Sequence, residues 1–169
     1  GVRIDGFILP GHVSVIIGTD AYRPLFVRYR LPCAVTGFEP ADILAAVRML
    51  TESIESNTPQ LANVYGRAVA PEGNPKALAV MDQVFRTEDA AWRGLGTIPD
   101  SGLGIRPEFA RFDARNRFSL EIRETPPPKG CVCGDILRGV KTPPECALYG
   151  TRCTPMAPVG PCMVSSEGT

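Results

Sequence analysis

Five thiols crowd one end of this chain: Cys131, Cys133, Cys146, Cys153 and Cys162, all within the last 39 of 169 residues. One residue separates the first two, and gaps of 12, 6 and 8 residues follow. Thiolates carried on loops uncommitted to helix or strand can converge on one centre, and a tetrahedral zinc ion and an iron–sulfur cluster both accept such a set. Structural zinc commonly uses paired C-x₂₋₄-C knuckles, which this segment lacks. A C-x-C pair followed by singly spaced cysteines suits a cluster better, which ranks iron–sulfur first, zinc second and disulfides third. An odd count leaves at least one thiol outside any complete pairing within the segment. That thiol is either a redox partner of the centre or structural. The sixth cysteine, Cys33 in "LPCAV", sits in an apolar strand pattern and reads as a small core residue.

A second set of reactive side chains lies upstream. His12, the sole histidine, stands in "PGH" after the first apolar run; Glu39 stands in "GFEP" after the second, and Glu72 with Asn74 in "PEGN" after the third. Open α/β sheets bind ligands outside the carboxyl ends of their strands, so His12, Glu39 and Glu72 are expected to face one crevice. Each has a plainer alternative. His12 can hydrogen-bond a loop carbonyl, Glu39 can favour a helix N-terminus electrostatically, and Asn74 is read as a helix N-cap. Arg93 in "WRGLG" is expected to pair with Glu39 or Glu72, ahead of the alternative of binding an anionic group. Glu167 in "SSEG" lies near Cys162, where a carboxylate can move protons coupled to thiol or cluster redox changes, or can simply be solvated. The glycine-rich "GLGTIPDSGLG" has neither the strand–turn–helix context nor the Lys-Ser/Thr pair of a phosphate loop.

Elements that position these residues follow from period and punctuation. "DGFILP" and "LPCAVTGF" read as strands, "VSVIIG" as the start of a helix, and "PADILAAVRMLTESI" as a helix with Ile43, Val47, Leu50 and Ile54 at helical spacing. "VYGRAVA" reads as a third strand. "NPKALAVMDQVF" reads as a helix with Asn74 as N-cap, Pro75 at N1, and Ala77, Met81, Val84 and Phe85 on one face. The alternation implies an α/β fold over 1–125, a largely parallel sheet flanked by helices. From "AWRGLG" to "RFDA" the reading is one short strand, a long loop and a short helix around Glu108 to Asp113. Pro126 to Pro128 form a stiff spacer. Beyond it, 126–169 is a small irregular cysteine-rich segment with too little to bury without a metal or disulfide staple.

Composition bounds the partners. Lysine plus arginine and aspartate plus glutamate both total 18, which provides no electrostatic footprint for nucleic acid or anionic lipid. No apolar run approaches the roughly 20 residues of a bilayer span. With no secretion signal in view, the cytoplasm is the expected compartment, where clustered thiols bind metal more often than they form disulfides.

The motifs "GFILPGHVSVIIG", "LPCAVTGFEPADIL", "YGRAVAPEGNPKALA", "WRGLGTIPDSGLGIR" and "GCVCGDILRGVKTPPECALYGTRCTPMAPVGPCMVSSEG" occur in this order. Together they resemble the HypD family of hydrogenase-maturation proteins over nearly the whole chain. The resemblance implies a 4Fe-4S protein that works with the chaperone HypC and the cyanide donor HypE on the Fe(CN)2CO group of nickel–iron hydrogenases. It would be a redox-active assembly scaffold more than a turnover enzyme. It further implies a cleft-facing His12, suited to proton transfer or ligand positioning. Family members are about twice this long, with further cysteines in the first half and another cysteine beyond "SSEG"; the chain therefore reads as a second α/β domain plus most of a cluster domain. Cys146, Cys153 and one or both of Cys131 and Cys133 are the expected cluster ligands, with Cys162 the remaining ligand or a redox thiol. The competing function is a zinc-stabilised protein-binding module; a thiol oxidoreductase would need a C-x-x-C at a helix N-terminus.

Overall fold

A computed structural model describes residues 4–118 and 128–164. It divides into two compact units, Ile4–Gln83 and the described part of Val84–Thr169. Pro126 and Pro127, at the expected domain boundary, lie outside the described residues.

Within Ile4–Gln83, three short strands, β1 (Phe7–Pro10), β2 (Cys33–Thr36) and β3 (Leu61–Asn63), form a parallel sheet in the order β1-β2-β3. Phe7 pairs with Cys33 and Cys33 with Leu61. The central strand β2 is buried along its whole length, and Ala34 and Val35 have no exposed surface. Such a strand reads as a continuous apolar run because both its faces are covered. Helix α1 (Gly11–Ile17) follows β1, α2 (Arg23–Tyr29) precedes β2, α3 (Pro40–Glu55) links β2 to β3, and α4 (Pro75–Val84) closes the unit. This is the α/β fold with a parallel, helix-flanked sheet that the alternation implies.

Two local readings are corrected. The third strand is Leu61–Asn63, and "VYGRAVA" is a turn. Asn63 forms that turn: its side-chain oxygen accepts from Tyr65 N at 3.0 Å and its amide donates to Val69 O at 2.8 Å. Asn folding the chain back onto its own side chain outweighs the β-propensity of the valines. On α3 the buried residues are Asp42, Ala46, Leu50 and Ser53, whereas Ile43, Val47 and Ile54 are exposed. Ala46 faces the sheet because its small side chain permits close approach to Ala34 in one buried cluster with Leu50. The N-cap reading of Asn74 holds, with Ala77 N donating to Asn74 Oδ1 at 3.1 Å.

In Val84–Thr169, β4 (Phe85–Trp92) and β5 (Gly96–Ile105) form a long antiparallel hairpin, with Phe85 opposite Ile105 and Trp92 opposite Gly96. This replaces the expected short strand and long loop. The glycines that suggested a loop are the contact positions of a strand: a methyl on Gly102 would stand 2.7 Å from the Ala90 Cβ, and one on Gly104 would overlap the Glu88 carboxylate. A 3₁₀ turn over Pro107–Phe112 matches the expected short helix. The cysteine segment contains the short helix α6 (Cys133–Leu137), which follows α5 (Ala114–Arg117), and 3₁₀ turns at Pro143–Glu145 and Pro161–Met163.

Candidate metal centre

The cysteine segment folds with little regular structure, and its core is made of thiols. Cys133, Ile136 and Cys162 form a buried cluster, with Cys131, Val132 and Cys146 packed against it. Cys153 is also buried, and its sulfur accepts from Val159 N at 3.2 Å. The loops are held by short-range bonds. Thr142 and Glu145 make a capping box ahead of Cys146, with Thr142 N donating to Glu145 Oε2 at 2.7 Å. Asp135 takes Arg138 at 2.6 Å and Lys141 at 3.1 Å. Gly160 lets the chain pass directly over the C-x-C pair: a methyl there would stand 2.6 Å from Cys131 Sγ and 3.1 Å from Cys133 Cβ.

Neighbouring thiols act on Cys133 and Cys162. Burial, then the neighbouring Cys131 thiol, push the Cys133 thiol up to about 11. Burial raises Cys162 too, followed by the charges of Cys131, Cys153 and Cys146. Cys146 moves the other way, because the backbone N–H groups of Val132 and Leu148 stabilise its thiolate and Lys141 adds a nearby positive charge. Thiols crowded out of water hold their protons until a cation replaces them, which is how a metal centre couples loading to proton release. By chemistry alone, five thiols gathered in one unit are the donor type that a metal–sulfur group takes. Among the described residues no three His, Cys, Asp or Glu side chains stand close enough to hold a single ion. All six cysteines are free thiols, and Cys33 belongs to the unit Ile4–Gln83, buried in β2 with Sγ 3.3 Å from Leu31 O.

The strand-end crevice belongs to the other unit. His12 lies in the first turn of α1, exposed, its ring 5.2 Å from that of Phe38. Glu39 occupies the N-cap position of α3 without a side-chain capping bond. These two loops border an open apolar cleft of about 280 Å³ whose lining includes Ile8, Leu9, Pro10, Gly37, Phe38 and Ile43. Glu72 does not join them. Its backbone packs on Gly18, at the opposite end of α1 from His12, about 10 Å along a helix of that length. Arg93 is exposed in the β4–β5 turn of the second unit, and Glu167 lies outside the described residues.

Beside Gly11 and Gly37, at the same strand ends, stand three residues that sequence reasoning missed. Buried Asp42 accepts a bidentate bond from Arg67, Nη1 to Oδ1 at 2.7 Å and Nη2 to Oδ2 at 2.5 Å. The Arg67 guanidinium lies 4.5 Å over the Tyr65 ring, and that ring packs where side chains on Gly11 and Gly37 would otherwise sit. Hydrogen bonds from Arg67 hold the Asp42 carboxyl below the usual carboxylate range, and Glu39 adds to the field on Arg67. The available signal was an acid in the first turn of α3 combined with an Arg in the turn after β3.

Fold and site together define an α/β protein carrying a separate unit in which five thiols converge. Comparison with known proteins makes the class specific. Residues 1–169 match the family described as "HypD: Hydrogenase formation hypA family". The chain is 48% identical over 168 residues to the Hydrogenase maturation factor HypD of Cupriavidus necator, covering 99% of this chain and 44% of that protein. It is 46% identical over 168 residues to the protein of the same name from Azotobacter vinelandii, with the same coverage. Against that of Rhodobacter capsulatus it is 40% identical over 172 residues, 99% of this chain and 46% of the relative. The chain belongs to the HypD family and spans less than half the length of these relatives.

Proposed function

We propose that this chain is the cysteine-bearing part of a hydrogenase maturation factor and that its segment from Cys131 to Cys162 holds one 4Fe-4S cluster. It acts with a HypC-like chaperone and a HypE-like cyanide donor as scaffold and electron relay in assembling the Fe(CN)2CO group of nickel–iron hydrogenases, in the cytoplasm. The observation that carries this reading is the convergence of five thiols in one unit, four to ligate and one to spare. A tetranuclear cluster takes four thiolates, and the segment offers five, without the paired C-x₂₋₄-C knuckles common in structural zinc sites.

Bound there, the cluster would supply one-electron chemistry. The chain's own residues do the rest. Cys133, Cys153 and Cys162 exclude water from the centre by their burial, while Cys131 and Cys146 keep partial exposure. Val159 N–H and the backbone donors around Cys146 offset thiolate charge. At the crevice, a ring nitrogen of His12 and the carboxylate of Glu39 carry protons during cyanide handling, with Arg67, paired to Asp42, adding positive charge near Glu39. The test is reconstitution of the metal-free chain with ferrous iron and sulfide under argon, followed by electron paramagnetic resonance after reduction. A fast-relaxing signal from a reduced cluster supports the assignment; uptake of zinc alone, with no such signal, overturns it.

A further inference from the structure

The thiol centre is built from more than the cysteine segment. Between β4 and β5 the turn passes through Gly94, whose φ of +84° places it in the left-handed region that glycine favours. A methyl added there would stand 3.3 Å from Cys133 Sγ and 3.5 Å from the Gly134 Cα. From the other side, a methyl on Gly134 would overlap the Gly94 carbonyl oxygen and stand 3.1 Å from its carbonyl carbon. Two glycines thus meet back to back beside the most buried thiol, Cys133, which is 4% exposed. Gly134 belongs to the short helix α6, whereas Gly94 comes from outside the cysteine segment and adds to the cover that Gly160 gives Cys133 from within it. The turn is held in place by its strands: Trp92 Nε1 donates to Ser101 Oγ at 2.8 Å, and Leu95 N to Trp92 O at 3.0 Å.

We propose that the β4–β5 turn is a wall of the thiol centre, with Gly94 and Gly134 as positioning residues that seat the turn's backbone against Cys133 and close it to solvent. This rests on the cysteine segment being the functional centre, and it assigns that centre a part contributed from some forty residues earlier in the chain. Chemically, the wall decides which thiols meet external reagents. Cys131 and Cys146 stay partly open, whereas access to Cys133 requires the turn to lift.

The test reads the metal-free, reduced full chain, so it does not depend on what the thiols bind. Alkylation of each cysteine by iodoacetamide is followed by mass spectrometry over time in wild type, in Gly134→Ala, and in a variant with Gly-Ser-Gly inserted between Arg93 and Gly94. The insertion adds no atom to the cysteine segment. The wall predicts that in the insertion variant Cys133 reacts faster by roughly tenfold, the effect of one local opening made about 1.4 kcal/mol easier, while Cys153 keeps its wild-type rate. Gly134→Ala should accelerate Cys133 at least as much. Unchanged Cys133 reactivity in the insertion variant overturns the proposal, as does an equal acceleration of Cys133 and Cys153 there. Iron and sulfide uptake by the same variants forms a second arm: normal alkylation protection with no uptake in wild type would count against the cluster and leave the wall standing.

Discussion

Replacing Gly160 with alanine tests the thiol centre by one methyl group. Gly160 has φ −108° and ψ 158°, an extended conformation open to any L-residue, so the substitution introduces no backbone strain. Its methyl, however, would stand 2.6 Å from Cys131 Sγ and 3.3 Å from Cys133 Sγ. Ordinary non-bonded contact begins at about 3.5 Å, so the Cys131 sulfur must retreat by roughly 1 Å. Ligand distances in metal sites hold to about 0.2 Å. The displaced sulfur should therefore drop out of the ligand set, and iron and sulfide content should fall by well over half. Overpacking of this kind costs about 1–3 kcal/mol, which should lower the melting transition of this unit by roughly 4–20 °C at the sensitivity of a small domain. Gly66→Ala is the control, since no atom lies within 4 Å of its added methyl. The assay is iron and acid-labile sulfide per chain, with thermal melting followed by circular dichroism. Full loading and an unchanged melt in Gly160→Ala would refute the placement of the C-x-C pair against this glycine.

Other perturbations follow from the same geometry. Cys146→Ala should abolish cluster loading and leave Ile4–Gln83 folded, whereas Cys33→Ala should load normally, because Cys33 is buried in β2 of the other unit; equal iron content in Cys146→Ala and wild type would sink the ligand assignment. Asp42 has a folded pKa lowered chiefly by its hydrogen bonds from Arg67, so its contribution to stability is present above the unfolded value of about 3.9 and disappears as pH falls through the lower folded value. The gap in urea midpoint between wild type and Asp42→Asn should accordingly be constant from pH 7 to about pH 5 and shrink below about pH 4; a gap that stays constant down to pH 2 contradicts the pairing. Val35 is fully buried at the centre of the sheet, and Val35→Ala removes two methyl-sized groups at about 0.8 kcal/mol each plus a cavity, roughly 2–3 kcal/mol in all, measurable by chemical unfolding of Ile4–Gln83 within the full chain.

The parallel sheet was legible because β2 is a run of four apolar or small residues closed by Pro32 and Gly37, and because α3 and α4 each begin with a proline behind a capping position. The hairpin was not. In β5, glycine and proline stand where strand propensity is poor, and what makes it a strand is the close approach of β4, a tertiary fact absent from local pattern. The third strand was misplaced by a few residues because the Asn63 side chain turns the backbone just before the valines that carry the propensity. The crowding of cysteines was legible in the sequence, yet the approach of Gly94 and Gly160 to them follows only from how the loops stack. Asp42 and Arg67, 25 residues apart, meet through the crossover from β2 to β3, and neither residue alone signals the pair.

The most direct test is the metal, acid-labile sulfide and visible spectrum of the chain purified without oxygen. About four irons and about four sulfides per chain, with a broad brown absorption that bleaches on reduction, is the result predicted for five thiols gathered around one cluster. One zinc per chain with no colour would contradict it and make the segment a structural module.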